Sequence, residues 1–271
     1  MSRRLTVIAG SGALVDHVVA AARRAGDEVQ IVGVVPQPPR AVPVLAAGLD
    51  PTRIIAAIRT FSSTHVVLAG GVSLSDRDRQ QLHGFLTDGR ESSSAGDAAL
   101  SAAAHAIQRH SGAIMLGAHE LAADLLAAPG HIAGPPLDPA YGETCALAIV
   151  AARAIGRLDL GQAVVVADRR VVAAEDLGGT DELLRRVRRY REQGLVGDGA
   201  GAVVLAKAAK PQQPLHVDMP AIGPATILGA AAAGIGIIVV EAGRVLLLER
   251  TELEALATEH GISIVALFAD G

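Results

Sequence analysis

Aromatic residues are scarce in this chain: they make up 2% of its 271 residues, and tryptophan is absent. The composition is nevertheless 50% hydrophobic, so the core must be built from Ala, Val, Leu and Ile. A chain of this length can bury a substantial core. Its length and composition are typical of one large α/β domain or of two smaller ones.

Cysteine is rarer still, since Cys145 is the only one. A single cysteine excludes an internal disulfide and a zinc site built from cysteine ligands. Because Cys145 lies in an Ala-rich helical pattern, we expect a buried thiol that packs like a small apolar side chain.

Long apolar runs are missing as well. No uninterrupted run reaches the roughly 18 apolar residues of a membrane-spanning helix. The N-terminal stretch has the pattern of an alternating strand with Gly, unlike a secretory signal. We therefore expect a soluble protein of the cytoplasm, a reducing compartment.

The charge balance excludes another class of partner. The formal net charge is −4 and the pI is about 6.1, which gives no electrostatic argument for a nucleic acid. The basic run Arg185–Arg191 lies where a predicted helix ends, and the helix dipole favours cations there. Contact of this run with anionic lipid headgroups stays open as an alternative.

The first half of the chain predicts a Rossmann-like sheet. Leu5–Ala9 is a short strand pattern, and the Gly-rich turn Gly10–Gly12 follows it. A helical pattern then covers Ala13–Ala25, before a second strand pattern at Glu28–Val35. This order is the βαβ unit of parallel sheets. The other predicted elements of this half are a helix capped by Asp50, a strand at His65–Ala69, a polar loop at 88–96, a helix at Ala98–Arg109 and a strand at Ala113–Gly117.

Domain limits follow from the one strong linker signal, a Pro- and Gly-rich stretch at Gly134–Pro139. We expect an N-terminal domain over residues 1–132, a linker over 133–141 and a C-terminal domain over 142–271.

The C-terminal part alternates helices and short strands in a mixed α/β pattern. Asp168 lies in the turn of a predicted hairpin. Thr180 is predicted to cap a helix, and Thr251–Glu254 has the pattern of a capping box. The overall fold class is therefore α/β, with a Rossmann-like N-terminal domain and a mixed α/β C-terminal domain.

The densest group of charged residues with chemical potential is Lys207, Lys210 and Asp218, which stand between two apolar runs. Lysines suit phosphate oxygens, and a carboxylate suits a divalent cation or an attacking water. A solvated turn shaped by Pro and Gly is the alternative interpretation.

Two further motifs follow predicted strands of the first half. The turn Gly10–Gly12 places backbone amides before a helix, where an anion can bind. Val15 stands where the dinucleotide fingerprint has its third glycine, which argues against NAD and leaves a nucleotide phosphate. His119 is followed by Glu120 but lacks the second histidine of a zinc protease, so capping or packing is its alternative role.

A third group precedes a helix in the second half. Thr180 and Asp181 follow two glycines, and Glu175 adds a carboxylate just before them. Helix capping accounts for Thr180 and Asp181 by itself. Contact with phosphate or metal is the functional alternative.

Several of these motifs together resemble those of one family, the UDP-2,3-diacylglucosamine pyrophosphatases of the LpxI type. The matching runs of the second half are Leu160–Val166, Gly179–Asp181, Lys207–Pro211 and Asp218–Thr226. Those of the first half are Ile8–Gly12, Gly96–Asp97, Gly117–Leu121 and Asp124–Gly130. The similarity thus covers essentially the whole chain.

The resemblance implies a magnesium-dependent hydrolase of lipid A biosynthesis. Such an enzyme cleaves UDP-2,3-diacylglucosamine to UMP and 2,3-diacylglucosamine 1-phosphate, with water attacking the phosphorus on the sugar side. It also implies a UDP-linked glycolipid as partner, and it leaves open peripheral contact with the cytoplasmic face of the inner membrane and a homodimer.

The resemblance and the residue patterns together assign roles. The expected catalytic residues are Asp218, Asp181, Lys207 and Lys210. The expected substrate-binding residues are Gly10, Ser11, Gly12, Thr180, His119, Gly223 and Thr226. Asp218 and Glu175 are the expected ligands of Mg²⁺.

Two departures from the family pattern keep other functions open. Gly178 stands where the family usually has an acidic residue, and Gly71 stands where it usually has a lysine. The alternatives are a hydrolase or transferase that acts on another nucleotide-diphosphate-linked compound, and a non-catalytic nucleotide- or lipid-binding protein.

Overall fold

The computed structural model describes residues 2–72, 96–196, 202–212 and 214–269, with the backbone alone at 96–100. The chain divides into two compact units. The first comprises Met1–Asp124 and Gln213–Asp218, and the second comprises Leu125–Gln212 and Met219–Gly271. The predicted domain limits at 132 and 142 stay a prediction. The polar loop predicted at 88–96 lies, apart from its last residue, outside the described residues.

The first unit contains a parallel sheet in the strand order β3-β2-β1-β4-β5. Its strands are β1 (Arg4–Ala9), β2 (Glu28–Gly33), β3 (Val44–Ala46), β4 (His65–Ala69) and β5 (Ile114–Leu116). Val7 of the central strand pairs with Ile31 on one side and Val67 on the other. All three side chains are fully buried, as expected for a parallel sheet that is covered on both faces.

The three longer helices of this unit follow the predicted pattern, and a short helix at Ala118–Leu121 was not predicted. They are α1 (Leu14–Arg24), α2 (Pro51–Thr60), α3 (Gly96–Ser111) and α4 (Ala118–Leu121). Asp50 caps α2 as predicted, because its carboxylate accepts a 2.9 Å hydrogen bond from the amide of Thr52. Val15, Val18 and Val19 of α1 recur at helical spacing and are buried. The predicted Rossmann-like fold is confirmed.

The edge strand β3 was not predicted. It is three residues long, and its Leu45 is 52% exposed. A strand this short and this exposed carries no clear alternation of apolar and polar residues, which is the signal that predicts strands.

The second unit contains a mixed six-stranded sheet in the order β6-β13-β11-β9-β7-β8. Its strands are β6 (Gly130–Ala133), β7 (Ala163–Ala167), β8 (Arg170–Ala174), β9 (Val203–Lys207), β11 (Ile237–Glu241) and β13 (Ser263–Leu267). β9, β11 and β13 are parallel, whereas β6, β7 and β8 each run antiparallel to a neighbour. β10 (Ala221–Ile222) and β12 (Leu246–Leu247) form a separate parallel pair.

Helices cover both faces of this sheet. They are α5 (Gly142–Arg157), α6 (Gly179–Glu192), α7 (Pro224–Ala232) and α8 (Arg250–Glu259). One core cluster joins Val165 and Leu205 to side chains of α6, α7 and α8, and another joins Val164 and Val204 to α5. Neighbouring strand residues thus point to opposite faces, and the predicted mixed α/β fold is confirmed.

Cys145 lies in α5 and is fully buried, as predicted. Burial raises the pKa of its thiol to about 11, which keeps the sulfur protonated and unreactive. None of the described helices is both long and apolar enough to cross a membrane.

Two local predictions for the second unit had different outcomes. The hairpin is confirmed, because Asp168 and Arg169 join β7 to β8 with φ values of 49° and 61°. The capping box at Thr251–Glu254 is wrong. Helix α8 begins at Arg250, after Glu249 in a left-handed conformation without a side-chain cap, and Glu254 instead accepts a 2.7 Å hydrogen bond from Arg250.

Candidate active site

One edge of the sheet in the second unit collects several polar side chains. Lys207 ends β9 and Glu241 ends β11, and both strands reach this edge with their carboxyl ends. Because β7 is antiparallel to β9, Ala163 at the start of β7 pairs with Lys207. The end of β8 and the start of α6 therefore also lie at this edge.

Three of the predicted site residues form a chain of hydrogen bonds here. The ammonium of Lys207 donates to the hydroxyl of Thr180 at 2.8 Å. That hydroxyl donates to Oε1 of Glu175 at 2.7 Å. Oε2 of Glu175 accepts from the backbone amide of Gln162 at 2.6 Å. The strand edge thus holds a lysine through a hydroxyl and a fixed carboxylate.

Gly161 makes this arrangement sterically feasible. A Cβ atom at Gly161 would lie 2.7 Å from both the Cβ atom and the carbonyl oxygen of Glu175. The amide of Glu175 also donates to the carbonyl of Ala163 at 2.8 Å. The backbone before β7 therefore approaches Glu175 more closely than any side chain would allow.

Lys210 has a carboxylate partner of its own. Its ammonium lies 2.7 Å from Oδ1 of Asp159, and the two side chains are only 11% and 20% exposed. A half-shielded pair of this kind is screened less by salt than a surface pair. Lys207, at the end of β9, and Lys210 are thus both held by defined partners. Residues 207–210 are called the lysine loop below.

Glu241 was missed by the sequence analysis. This residue is 3% exposed, and its Oε2 accepts a 2.9 Å hydrogen bond from the amide of Ala209, which lies between the two lysines. Its Oε1 lies 3.7 Å from Nη1 of Arg153 and 3.4 Å from Nε of Arg244. Glu241 therefore anchors the lysine loop, and a glutamate that ends a run of Ile and Val was the signal that could have found it.

A second signal lies in the composition. Lys207 and Lys210 are the only lysines of the chain, and every other basic side chain apart from histidine is an arginine. Lysine is a compact point charge with three donors, whereas arginine is a planar fork. The loop is therefore chemically unique within the protein.

The start of α6 differs from the prediction. The N-cap is Gly178 and not Thr180. The hydroxyl of Thr180 instead donates a hydrogen bond to Glu175. The amide of Gly178 donates to Oδ1 of Asp176 at 2.9 Å, and a hydrogen bond from Arg186 holds the pKa of that carboxyl below its usual value. Asp181 is exposed in the first turn.

Glycine at 178 has a steric consequence. A Cβ atom there would lie 2.8 Å from the Cβ and Cγ atoms of Glu182. An acidic side chain at this position would therefore require Glu182 to move.

Gly223 and Thr226 lie at the start of α7. The hydroxyl of Thr226 is 3.4 Å from the amide of Gly223, which donates to it, and Thr226 is 9% exposed. This contact serves the first turn of the helix, and the predicted role in substrate binding stays a prediction.

The Gly-rich turn of the first unit forms hydrogen bonds with the end of β4 and the residues after it. Gly10 donates its amide to the carbonyl of Ala69, and Ser11 donates its amide to that of Gly71, both at 2.8 Å. The hydroxyl of Ser11 also lies 3.1 Å from the carbonyl of Gly71. Gly12 follows with a φ of 96°, which favours glycine. The amides of Gly10 and Ser11 are thus bonded to the segment after β4, where Ser11 and Gly71 form an antiparallel bridge.

His119 packs over the backbone of the first unit. A Cβ atom at Gly117 would lie 2.3 Å from Cε1 of His119 and 3.2 Å from the Cα atom of His216. Nδ1 of His119 is buried without a hydrogen-bond partner among the described residues. Glu120 accepts a 2.6 Å hydrogen bond from the amide of Gly117.

Asp218 is half-buried and follows a turn. Its neighbours Val217 and Met219 are 5% and 8% exposed, and its amide lies 3.4 Å from the carbonyl of Pro214. By its contacts Asp218 belongs to the first unit, as Gly10, Ser11, Gly12 and His119 do. The lysines, Thr180 and Glu175 belong to the second.

Comparison with known proteins identifies the family. Residues 4–125 match the model of the LpxI N-terminal domain, and residues 128–265 match that of the LpxI C-terminal domain. The chain belongs to the LpxI family. The resemblance found from the motifs is thereby confirmed.

A curated relative and a solved structure add detail. The UDP-2,3-diacylglucosamine pyrophosphatase LpxI of Caulobacter vibrioides (strain ATCC 19089 / CIP 103742 / CB 15) is 40% identical over 153 residues, which are 56% of this chain and 54% of that protein. The chain thus spans about half the length of this LpxI relative in the match. A crystal structure of isoflavone reductase aligns over 99% of this chain and 79% of that one, with 10% identity and a TM-score of 0.20, a similarity too low to support any conclusion.

The described residues of this LpxI family member offer few ligands for a metal ion. The described part of the chain contains no group of three or more His, Cys, Asp or Glu side chains that could hold a metal ion. Both oxygens of Glu175 already accept hydrogen bonds. Mg²⁺ is often held by only one or two carboxylates together with substrate phosphates, and a single half-buried carboxylate such as Asp218 fits that requirement.

Proposed function

We propose that this protein hydrolyses UDP-2,3-diacylglucosamine to UMP and 2,3-diacylglucosamine 1-phosphate in lipid A biosynthesis. The match of both LpxI domain models along the chain carries this proposal. The residues of the second unit support it, since the only two lysines of the chain lie in one loop at the end of a strand.

Lys207 and Lys210 are the proposed phosphate contacts. A diphosphate carries clustered negative charge, and more charge develops on the leaving phosphate in the transition state. Ammonium groups that are already held in place stabilise this charge without a reorganisation cost at the moment of reaction. The hydrogen bond of Lys207 to Thr180 and the ion pair of Lys210 with Asp159 supply this preorganisation.

Asp218 is the proposed carboxylate of the reaction. It would hold Mg²⁺ together with the substrate phosphates or orient the attacking water. A bound Mg²⁺ supplies positive charge that polarises a phosphoryl oxygen. The neighbouring buried side chains Val217 and Met219 limit the motion of this residue, as a positioned group requires.

The test uses the purified full chain with UDP-2,3-diacylglucosamine and Mg²⁺, and it measures UMP release. We expect turnover that EDTA stops, and a loss of about 1,000-fold or more in Asp218→Asn, as for other groups that act directly on the reacting atoms. Asp168→Asn is the matched control. Like Asp218→Asn, it replaces a carboxylate by an amide, but it lies in an exposed hairpin turn that tolerates asparagine.

Other outcomes favour the alternatives. Turnover of other UDP- or CDP-linked compounds alone would indicate a different nucleotide-diphosphate substrate, to which Gly71 and Gly178 would be relevant. Tight binding without turnover, unchanged in Asp218→Asn, would indicate a binding protein. Reaction in ¹⁸O-labelled water locates the attack: we expect the label in the sugar phosphate, and label in UMP would contradict attack on the sugar side.

Contact with the inner membrane, a cytoplasmic location and a homodimer stay predictions. Vesicle flotation and light scattering on the purified protein test the first and the last of these.

A further inference from the structure

We propose that Glu175 and Thr180 are positioning residues that act through Lys207, and that Glu175 is not a metal ligand. This assignment rests on the proposed function, because it gives the diphosphate contact of Lys207 its geometry. It differs from the expectation drawn from the sequence, in which Glu175 holds Mg²⁺ and Thr180 contacts the substrate.

The direction of the hydrogen bonds carries the argument. A threonine hydroxyl has one proton, and here Thr180 donates it to Oε1 of Glu175 at 2.7 Å. The lone pairs of the hydroxyl then remain to accept from the ammonium of Lys207 at 2.8 Å. Because the hydroxyl of Thr180 donates its hydrogen bond to Glu175, its oxygen acts as the acceptor for Lys207.

The backbone fixes Glu175 in turn. The amide of Gln162 donates to Oε2 at 2.6 Å, and the amide of Glu175 itself donates to Ala163. The amide of Gln162 and the hydroxyl of Thr180 thus both donate to the carboxylate, one to each oxygen. A glutamine has one acceptor oxygen in place of two, so it cannot satisfy both donors.

The position of Lys207 is set by this chain and by its strand. An ammonium has three donors, and one of them is taken by Thr180. Charge-assisted hydrogen bonds are shorter and stronger than neutral ones. Lys207 is thereby held at the end of β9, and within the described part of the chain its two other N–H donors are left for a ligand.

The first test measures amine reactivity and needs no substrate. The wild-type protein and variants are labelled with acetic anhydride, and mass spectrometry follows the only two lysines of the chain. We expect Lys207 to react about 2- to 10-fold faster in Thr180→Val and Glu175→Gln, the range for one lost hydrogen bond. Lys210, which pairs with Asp159, serves as the internal reference.

Two variants complete this test. Thr180→Ser keeps the hydroxyl, so Lys207 should react at the wild-type rate. Thr258→Val removes a helix hydroxyl of the same unit that donates to the carbonyl of Glu254, and it too should leave both lysines unchanged. An unchanged Lys207 rate in Thr180→Val, or equal acceleration of both lysines, would overturn the proposal.

The second test is a double-mutant cycle on UMP release. Thr180→Val should lower kcat/KM by about 10- to 100-fold, as expected for a hydrogen bond to a charged group, and Thr180→Ser should restore most of it. In a Lys207→Met background the same substitution should have no further effect. Additive losses would mean that Thr180 contacts the substrate directly.

The Mg²⁺ dependence separates the two assignments of Glu175. We expect Glu175→Gln to lower kcat while the half-saturating Mg²⁺ concentration stays within about twofold of the wild-type value. A rise of about tenfold or more, the size of effect seen for groups that support a metal, would assign Glu175 to the metal. If the wild-type protein released no UMP, the proposed function would fail, and the labelling test would still decide whether Lys207 is positioned in this way.

Discussion

The Gly-rich turn after β1 and the lysine loop after β9 occupy equivalent places in two different sheets. Each follows a buried parallel strand at its carboxyl end, where open α/β sheets often bind ligands. In the first turn, Gly10 and Ser11 donate their amides to carbonyls of the neighbouring segment. In the second, the ammonium of Lys207 donates to the hydroxyl of Thr180, its one hydrogen-bond acceptor among the described residues. Equivalent places in two sheets thus differ in what their donors contact, and we expect a phosphate to bind where donors are still available.

The glycines of the two regions serve different purposes. A Cβ atom at Gly10 would lie 2.4 Å from the carbonyl oxygen of Gly71, so glycine there permits two backbones to pair. Gly161 permits a backbone to approach Glu175, the side chain that we propose positions Lys207. A Gly-rich motif in the sequence does not distinguish these purposes.

Among the variants that compare the Gly-rich turn with the region around Lys207, Lys207→Met should have the largest effect. The loss of a cation that faces developing phosphate charge should lower kcat/KM by about 100- to 1,000-fold, with a melting temperature close to that of the wild-type protein. Steady-state kinetics and circular dichroism measure both. Lys207→Arg keeps the charge and should recover part of the activity. A loss below threefold in Lys207→Met would remove the contrast between the two regions.

Gly161→Ala should have the next largest effect. Its Cβ atom would lie 2.7 Å from atoms of Glu175, so the strand end must shift and Lys207 loses its fixed partner. We expect kcat/KM to fall about tenfold, equivalent to about 1.4 kcal/mol.

Gly142→Ala is the matched control for this prediction. Apart from its chain neighbours and the backbone of its own helix, no atom of the described residues lies within 4 Å of a Cβ at Gly142, and its φ of −55° suits alanine. The control should keep full activity. Equal losses in both variants would show that the close approach of Gly161 has no specific role.

Asp27→Asn should affect the stability of the first unit and leave catalysis unchanged. Asp27 is bonded to Arg3 at 2.7 Å, and hydrogen bonds from Arg3 hold the pKa of this carboxyl below its usual value. The substitution should cost about 1–3 kcal/mol of unfolding free energy at pH 7.

The pH dependence of this effect has a defined sign. A lowered folded-state pKa stabilises the protein above the unfolded-state value, and the contribution is lost as the pH falls through the folded-state value. The difference between wild type and Asp27→Asn should therefore shrink below about pH 4. Urea unfolding followed by circular dichroism tests this, and a difference that grows on acidification would contradict the assignment.

Ser11→Ala should have the smallest effect. The amide and hydroxyl of Ser11 are both directed at the carbonyl of Gly71, so a substrate phosphate gains little from this residue. KM should change by less than about threefold, near the lower end of the roughly 2- to 12-fold that one neutral hydrogen bond contributes, because this hydroxyl already donates to Gly71. A tenfold rise in KM would restore the phosphate-binding role expected from the sequence.

Some of this site could be predicted from the sequence. Lys207, Thr180 and Glu175 were selected because charged or hydroxyl-bearing residues followed predicted strands and glycines. Their partnership could not be predicted, because 27 residues separate Thr180 from Lys207 and 13 separate Gln162 from Glu175. Such contacts depend on the order of strands in the sheet, which periodicity does not reveal.

The sequence by itself determined the longer strands and helices of both units, since local patterns of apolar residues and turns specify them, whereas the short strand β3 was missed. It also determined the family, because ordered motifs run along the whole chain. Only the tertiary structure decided which hydrogen-bond donors already have an acceptor within the protein. The amides of Gly10 and Ser11 donate to the segment after β4. The antiparallel strand β7 brings Glu175 and Thr180 beside Lys207. Neither could be predicted, because a hydrogen-bond partner is set by distance in space and not by position in the chain.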